Sequence, residues 1–264
     1  MVMTSTSSVS PDPGVRPRIS VVDLDMAYGG LVIQRNLNFT VQPAEIFVVM
    51  GGSGCGKSTL LRHLVGLKEP ARGDVLYDGR SFWTADPVER DDLMRRVGVV
   101  YPSNALWSSL TLSENVALLL EEFTDLGARE IRDAAALKLA LVGLAGFEDY
   151  YPSEVSGGMA KRAALARALA LDPEILFLDE PSTGLDPISA RLLDDLVLDL
   201  RDGLGTTVVV VTHDLASIQA IGDNSVFLDT ETKTMMAHGN PKALLANPPN
   251  ARVRAFLNRE SLSR

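Results

Sequence analysis

A short apolar run, a glycine-rich loop and an apolar-periodic segment follow one another near the start of this chain and limit the folds it can adopt. Residues 46–50 read Ile-Phe-Val-Val-Met, the composition of a strand that is buried on both faces. Residues 51–58 read Gly-Gly-Ser-Gly-Cys-Gly-Lys-Ser, and leucines then recur at helical spacing to about Leu67. The pattern G-x-x-x-x-G-K-[ST] between a strand and a helix predicts a phosphate-binding loop.

Each residue type in this loop has a physical reason to be there. Glycines let consecutive amide N–H groups point at phosphate oxygens, and the helix N-terminus adds the positive end of its dipole. Lys57 can neutralise the charge of β- and γ-phosphates, and the Ser58 hydroxyl group can bind Mg²⁺. A glycine-rich turn with an incidental lysine is the alternative, but it does not account for the flanking strand and helix. The predicted nucleotide-binding residues are Gly51, Gly52, Ser53, Gly54, Cys55, Gly56, Lys57, Ser58 and Thr59.

The rest of the chain alternates strand-like runs with helical patterns. Apolar runs at 175–178, 208–211 and 225–229 predict further buried strands, and a block at about 108–153 is mainly helical in pattern. This alternation predicts an α/β fold with a mostly parallel sheet that is covered by helices on both faces. Residues 1–17 are rich in Ser, Thr and Pro, and we expect them to form a disordered lead-in.

Two carboxylates, Asp179 and Glu180, follow the predicted strand 175–178. Ligands bind at the carboxyl ends of the strands in open α/β sheets, so both side chains are expected near the phosphate loop. Asp179 is suited to hold Mg²⁺, directly or through water, and Glu180 to polarise the attacking water. A solvated strand end would explain the pair equally well by itself, and the phosphate loop is what favours the metal and base roles.

Ser156, Gly157 and Gly158 open a predicted helix and present a second group of amide N–H groups, which is a further anion site. An ordinary serine N-cap is the alternative. One phosphate loop already binds one nucleotide. A second anion site is therefore explained if two copies of the chain face each other and each covers the nucleotide of the other.

Composition excludes several other classes of protein. The net charge of −9 argues against nucleic-acid binding, which needs a basic surface. Cys55 is the single cysteine, so no intramolecular disulfide can form and a reducing compartment is the simpler interpretation. No run approaches the roughly 20 apolar residues of a membrane-spanning helix, and no secretory signal is present. Any role at a membrane is therefore expected to need a partner.

The order and spacing of these motifs resemble the ABC transporter ATPases from about residue 19 to residue 245. Residues 156–158 resemble the signature of that family, and 182–186 (Ser-Thr-Gly-Leu-Asp) resemble its D-loop, which ends here at Asp186. His213 resembles its switch histidine, for which a strand-end histidine is the alternative. Tyr28 falls where the family stacks an aromatic ring on adenine, for which an ordinary surface or core tyrosine is the alternative.

The resemblance implies a fold as well as an activity. The implied fold is a P-loop NTPase core of the RecA type at 18–246, with an antiparallel β subdomain and an inserted helical subdomain at about 105–165. Residues 247–264 would form a C-terminal tail with a short helix at about 251–257. The implied cofactors are ATP and Mg²⁺, and the implied catalytic residues are Lys57, Glu180 and His213.

The implied mechanism places two ATP molecules between two identical chains, and the γ-phosphate holds the closed dimer together until it is hydrolysed. Each ATP would touch residues of both chains. These residues are Lys57, Ser58 and Asp179 of one chain and Ser156 and Gly158 of the other.

The chain departs from the family pattern at two places. Pro102 stands where the family usually has a glutamine that contacts Mg²⁺ and the attacking water, and proline has neither a side-chain ligand nor a backbone donor. Ser103 or Asn104 could substitute, water could fill the gap, or hydrolysis could be slower; we expect ATP binding with somewhat slowed hydrolysis. Met159 stands where glutamine is commoner.

Within the family, Met159 and the residues after it resemble the ATPases of Mla and wider MCE-type lipid transport systems. Residues 104–107, 237–239 and 247–257 share this resemblance. It implies a bacterial complex with an ATPase dimer on the cytoplasmic face of the inner membrane, two permease chains and a periplasmic MCE-domain protein. Some members also bind a small STAS-domain protein, and their C-terminal tail reaches across the dimer.

Other functions within the ABC class stay open at this point. The chain could serve an importer of another small solute, or it could be a regulatory subunit that hardly hydrolyses ATP. DNA-repair ABC ATPases need a long coiled-coil or zinc insertion, and translation-associated ones carry two cassettes, and the sequence has neither feature.

Overall fold

The fold combines two β-sheets with helices, and a computed structural model describes it for residues 16–260. The predicted lead-in therefore lies outside the described residues as far as position 15, as does the end of the predicted tail at 261–264. In chain order, the strands of the described part are β1 (Ile19–Tyr28), β2 (Leu31–Val41), β3 (Ile46–Gly51), β4 (Arg72–Tyr77), β5 (Arg80–Ser81), β6 (Val97–Val100), β7 (Ile175–Asp179), β8 (Thr207–Val211), β9 (Asn224–Leu228) and β10 (Met235–Gly239).

The larger sheet has the strand order β10-β9-β3-β8-β7-β6. Its strands run parallel except for β10, which pairs antiparallel with β9 at one edge. Every residue of β3, β7 and β8 is buried, as expected for strands with both faces covered. The predicted mostly parallel sheet is confirmed.

The smaller sheet is antiparallel and has the order β2-β1-β4-β5. Ile19 of β1 lies between Val41 of β2 and Tyr77 of β4, which fixes the register at one end. The buried side chains of this sheet pack with Leu60 and Leu64 and with one face of the larger sheet. This sheet agrees with the antiparallel β subdomain that the resemblance implied.

Helices connect the strands and cover the sheets. In chain order, the helices of the described part are α1 (Lys57–Leu64), α2 (Pro87–Arg95), α3 (Leu112–Phe123), α4 (Ala128–Leu141), α5 (Gly157–Ala168), α6 (Pro187–Leu204), α7 (Leu215–Ile221), α8 (Pro241–Ala246) and α9 (Ala251–Asn258), with one 3₁₀ turn at Pro152–Glu154. Helix α9 lies where the sequence predicted a short terminal helix. No helix within residues 16–260 is long and apolar enough to cross a membrane.

Helix α1 ends about one turn before the predicted end near Leu67. Gly66 has φ 70°, a left-handed conformation that stops the helix. A Cβ atom at this position would lie 2.2 Å from the ring of Phe82, so only glycine fits. Leu67 continues the helical spacing of leucines in the sequence, but in the structure it lies beyond the end of α1 and is 63% exposed.

Helices α3, α4 and α5 pack against one another in one apolar core. Val116 of α3, Leu139 of α4 and Ala163 of α5 are fully buried there. The same core continues to Leu176 and Val208 of the larger sheet. A capping box formed by Thr111 and Glu114 begins α3. The three helices lie in the region where an inserted helical subdomain was expected, and its boundaries at about 105 and 165 stay a prediction.

Candidate nucleotide-binding site

A cleft of about 940 Å³ opens where β3, β7 and β8 end at their carboxyl edge. This is the edge at which open α/β sheets bind ligands. The cleft is lined by Ile33, Gly51, Gly52, Ser53, Gly54, Gly56, Lys57, Ser58, Thr59, Glu180, His213, Leu215, Ala255, Phe256, Arg259 and Glu260. The structure thus brings most of the predicted phosphate loop together with Glu180 and His213.

Two glycines of the loop cannot be replaced without moving the backbone. Gly51 has φ 151°, and a Cβ atom there would lie 2.4 Å from the carbonyl oxygen of Leu228. Gly56 has φ 98°, and a Cβ atom there would lie 2.6 Å from the side chain of Ile33. The loop is therefore packed tightly from both sides, which holds its amide groups in place.

Lys57 spans the loop from the first turn of α1. Its Nζ atom donates to the carbonyl oxygens of Gly51 at 2.9 Å and Gly52 at 3.2 Å, and its side chain is largely buried. No side chain caps the N-terminus of α1, so its first N–H groups are available to an anion. The lysine and the helix start together form a phosphate-binding site.

Ser58 and Asp179 meet beside the loop. The Ser58 hydroxyl group donates to Oδ1 of Asp179 at 3.2 Å. Burial raises the pKa of Asp179, and the hydrogen bond from Ser58 opposes this only in part. Within residues 16–260 no group of three or more His, Cys, Asp or Glu side chains could hold a metal ion. Two hard oxygen ligands nevertheless suit Mg²⁺, because this ion keeps several waters and binds phosphate oxygens in nucleotide sites.

Glu180 and His213 form a second pair in the cleft. Nδ1 of His213 lies 2.8 Å from Oε1 of Glu180, so a protonated Nδ1 donates to the carboxylate. Glu180 has φ 49°, and its N–H group donates to the carbonyl oxygen of Val211 at 2.8 Å. A left-handed conformation costs a residue with a Cβ atom roughly 1–2 kcal/mol, and such strain concentrates at functional sites. The backbone bond to β8 fixes the glutamate beside His213.

Tyr28 and Cys55 do not line the cleft of the described chain. Tyr28 is 41% exposed, its hydroxyl group accepts a hydrogen bond from Arg62 at 3.1 Å, and Nζ of Lys68 lies 4.2 Å from its ring centroid. The Arg62 hydrogen bond lowers the pKa of Tyr28. Cys55 is buried and its carbonyl oxygen accepts from Gln34 at 2.8 Å. Burial raises the pKa of the Cys55 thiol.

The predicted signature and Asp186 also lie outside this cleft. Ser156 caps α5 by accepting from the Met159 N–H group at 3.2 Å. Asp186 caps α6 in the same way and also accepts from the Ser189 hydroxyl group at 2.5 Å. Both cap residues and Gly157 are exposed on the surface. Within one chain both side chains cap helices, and neither lines the nucleotide cleft. Any contact of these residues with nucleotide would have to be with a nucleotide bound to another copy of the chain.

The loop that departs from the family pattern is attached to α5. The Pro102 carbonyl oxygen accepts from Nζ of Lys161 at 3.1 Å. Arg167 donates to the carbonyl oxygens of Asn104 at 3.1 Å and Ala105 at 2.7 Å. Neither Pro102, Ser103 nor Asn104 lines the cleft of the described chain. The link between this loop and the helical region thus depends on backbone carbonyls.

Two sets of residues in or near the cleft were not predicted from the sequence. Gln34 is fully buried in β2, and its Nε2 atom donates to the carbonyl oxygens of Cys55 and Asp229, both at 2.8 Å. A polar side chain at an inward-facing position of a strand was the signal that could have found it. Phe256 and Arg259 belong to the α9 region, and nothing local in the sequence indicates that this segment reaches the cleft.

Comparisons with known proteins agree with this geometry. Residues 34–183 match the family model described as ABC transporter. The intermembrane phospholipid transport system ATP-binding protein MlaF of Escherichia coli K12 is 39% identical over 240 residues, which cover 91% of this chain and 88% of MlaF. The "Probable ribonucleotide transport ATP-binding protein mkl" of Mycobacterium tuberculosis H37Rv is 38% identical over 91% of this chain and 66% of mkl.

A solved structure is similar as well. The dimeric ATP-binding cassette MJ0796, in a post-hydrolysis state bound to ADP and Pi, superposes on this chain with a TM-score of 0.75 and 30% identity, over 83% of this chain and 97% of that one. The chain therefore belongs to the ABC transporter family, as one of its ATP-hydrolysing subunits.

Proposed function

We propose that this chain works as a homodimer on the cytoplasmic face of a bacterial inner membrane, where it drives a permease that moves phospholipid. The observation that carries the ATPase role is the meeting of the phosphate loop, the Ser58–Asp179 pair and the Glu180–His213 pair at one sheet edge. The lipid cargo is supported by the phospholipid transport system in which the relative MlaF is named. The resemblance of the chain to Mla-type ATPases, noted from its motifs, supports the same cargo.

Lys57 and the loop amides bind the phosphates of ATP in this proposal. Ser58 and Asp179 hold Mg²⁺, which when bound neutralises charge on the phosphate oxygens. The Ser58 hydroxyl oxygen already lies 3.2 Å from Oδ1 of Asp179, so the two oxygens could hold one ion without moving apart. Tyr28 is proposed to stack on the adenine ring, which requires it to exchange its contact with Lys68 for the base.

Glu180 is the proposed general base. Its carboxylate accepts a proton from the water that attacks the γ-phosphorus atom, as the bond between this atom and the β,γ-bridging oxygen breaks. The Nδ1–H group of His213 holds the carboxylate in position for this transfer. A positioned general base contributes about 10²–10⁴-fold to a rate.

The homodimer completes the site. Ser156, Gly157 and Asp186 are exposed, and a Cβ atom at Gly157 would meet nothing within 4 Å. Ile188, two residues after Asp186, is 75% exposed, and Leu192, one helical turn later, is 52% exposed, so this part of α6 presents apolar side chains as interaction surfaces do. These features suit a surface that covers the nucleotide of a second copy. The solved relative MJ0796 is dimeric.

The permease is proposed to bind beside the loop that contains Pro102. Tyr101 and Trp107 flank this loop and are 37% and 62% exposed. Exposed aromatic side chains are typical of protein interfaces. A periplasmic MCE-domain protein and a cytoplasmic STAS-domain protein complete the proposed complex, following the resemblance to MCE-type systems.

Replacement of Glu180 by Gln tests the ATPase site. We expect hydrolysis to fall about 10²–10⁴-fold while ATP binding persists, so that an ATP-loaded dimer accumulates. The measurements are phosphate release and size-exclusion chromatography with MgATP. Lys57→Ala is the matched variant that should bind no ATP and stay monomeric. Normal turnover in Glu180→Gln would remove Glu180 from its role.

Transport in vesicles tests the cargo. The chain and its permease, reconstituted together, should move a fluorescent phospholipid only with ATP, and Lys57→Ala should abolish this. The name of mkl favours ribonucleotide as a second candidate cargo. ATP-dependent movement of a labelled ribonucleotide, with no movement of phospholipid, would replace the lipid proposal.

A further inference from the structure

We propose that α9 forms a wall of its own chain's nucleotide cleft and that Arg259, directly after this helix, is a further nucleotide-binding residue that contacts the terminal phosphate of ATP. The proposal rests on the assignment of the cleft to ATP. It adds a second cation to a site in which sequence motifs supplied only Lys57.

Helix α9 is held firmly against the sheet. Val253 and Leu257 are buried in an apolar cluster that also contains Met50 of β3 and Phe227 of β9. The rings of Phe256 and Phe227 meet edge to face, with centroids 5.1 Å apart. The helix can therefore position a side chain at its end with precision.

Arg259 is part of the wall of the nucleotide cleft. It lines the same cleft as Lys57, Glu180 and His213. Leu215 follows His213 by two residues and packs in the apolar cluster of α9, so α9 lies beside the strand end that carries His213. Because the attacking water is positioned next to the terminal phosphate, a cation on this wall faces that phosphate.

The backbone of Arg259 is in a conformation that glycine adopts more easily. Arg259 has φ 56° and ψ 33°, in the C-terminal capping position of α9. Its N–H group donates to the Phe256 carbonyl oxygen at 3.2 Å, and the Glu260 N–H group donates to that of Ala255 at 2.8 Å. Glycine is the usual residue at such a left-handed cap. A long cationic side chain at a position of local backbone strain is consistent with a function for that side chain.

The charges around Arg259 suit a triphosphate. Glu260 also lines the cleft, so without Arg259 this carboxylate and Glu180 would both repel a bound anion. A guanidinium group can donate two parallel hydrogen bonds to phosphate oxygens. Arg259 therefore offsets the acidic wall and adds a directed contact to the nucleotide.

A hydrogen-bond network connects α9 to the phosphate loop. Nη1 of Arg252 donates to Oδ1 and Oδ2 of Asp229 at 3.0 and 2.8 Å, and its other Nη atom pairs with Glu231. Gln34 joins the Asp229 carbonyl oxygen to that of Cys55, with 2.8 Å to each. The helix, the turn after β9 and the loop thus share one hydrogen-bond network, which is buried at Gln34 and partly exposed at Arg252, and it ties the helix before Arg259 to the phosphate loop.

The test is a binding measurement on the full chain with AMP-PNP and ADP, each with Mg²⁺. Arg259→Gly removes the cation and leaves the residue that best suits the cap, so the variant should melt no lower than the wild type. We expect the Kd for AMP-PNP to rise about three- to tenfold and the Kd for ADP to change less than about twofold, because ADP lacks the terminal phosphate. Arg259→Lys should give an intermediate value.

Arg254→Ala is the matched control. Arg254 is an exposed cation of the same helix and does not line the cleft of the described chain, so its removal changes the net charge equally. Unchanged AMP-PNP affinity in Arg259→Gly, an equal loss for ADP, or an equal loss in Arg254→Ala would each overturn the proposal. Full AMP-PNP affinity in Lys57→Ala would instead contradict the assignment of the cleft itself.

Discussion

At the scale of single residues, Asp194 is a carboxyl group in an unfavourable place. It is 8% exposed on α6, where burial raises its pKa to about 6 and the nearby Asp214 and Asp195 add to the effect. Ser217 and Arg191 oppose the shift without cancelling it. Between about pH 4 and pH 6 the folded chain holds a proton here that the unfolded chain has lost. Stability therefore falls as pH rises through this window, and the whole penalty is present above it.

Asp194→Asn should remove this penalty. We expect the variant to be about 1 kcal/mol more stable than the wild type at pH 7.5, because a shift of about two units is worth at most roughly 3 kcal/mol and partial hydration reduces it. The difference should disappear at about pH 3, where the aspartate is protonated in both states. Urea unfolding at both pH values measures it. Asp199→Asn, at an exposed position of the same helix, should show no such pH dependence.

At the scale of elements, the connection between Tyr101 and Ala105 differs most from what the family pattern implies. Its carbonyl oxygens accept hydrogen bonds from Lys161 and Arg167 of α5, so the connection is tied to the helix that Ser156 caps. Burial lowers the pKa of Lys161, and Glu180 opposes this through its charge. The backbone therefore joins the connection to α5 without a glutamine side chain, although it supplies no ligand for the attacking water.

Pro102→Gln tests whether this missing side chain limits the rate. We expect ATP hydrolysis by the assembled transporter to rise about two- to tenfold, because an amide group would help to position the attacking water. Pro102→Ala relaxes the backbone but adds no amide, so it should give little of the gain. Unchanged phosphate release in Pro102→Gln would show that this position does not limit turnover.

Other elements show where sequence reasoning succeeds and where it stops. Parallel strands end at the same edge of a sheet, and the parallel pairing of these buried strands was predictable. Because the strands lead to the phosphate loop, to Asp179 and Glu180, and to His213, the approach of these groups to one another was predictable too. The place of α9 was not. Its local pattern indicated a short helix, but its position depends on contacts with residues about 25 to 200 positions earlier, such as Phe227 and Met50, and local patterns carry no such information.

The roles of Gln34 and Arg259 could not be predicted from the sequence for a related reason. Gln34 is the polar residue among the buried positions of β2, and its two carbonyl partners lie 21 and 195 positions away in sequence. The conformation of Arg259 also depends on how the chain leaves α9, because arginine has no preference for a left-handed backbone. Sequence motifs identify groups that act on a ligand, and the residues that hold those groups in place become visible only in the fold.

At the scale of the whole molecule, the residues of the proposed site lie on two surfaces of the same chain. The phosphate loop, Glu180 and His213 line the cleft, whereas Ser156 and Asp186 face solvent elsewhere. A two-fold symmetric dimer uses the same surface patches on both copies, so it would place each signature over the other copy's loop and make two equivalent sites. A site of this kind requires that Lys57 and Ser156 act on the same ATP from different chains.

Mixing two inactive variants separates this arrangement from a site built within one chain. With Glu180→Gln in every chain to prevent hydrolysis, Lys57→Ala alone and Ser156→Arg alone should each occlude no ATP. An equimolar mixture is assembled with the permease, so that two ATPase chains pair at random without needing ATP. About half of the pairs then contain both variants, and each of these has one site with an intact Lys57 and the partner's intact Ser156, so about a quarter of all sites should occlude ATP. Filter binding of radiolabelled ATP measures this fraction. A site confined to one chain predicts no gain on mixing, because Lys57→Ala would inactivate its own chain whatever its partner.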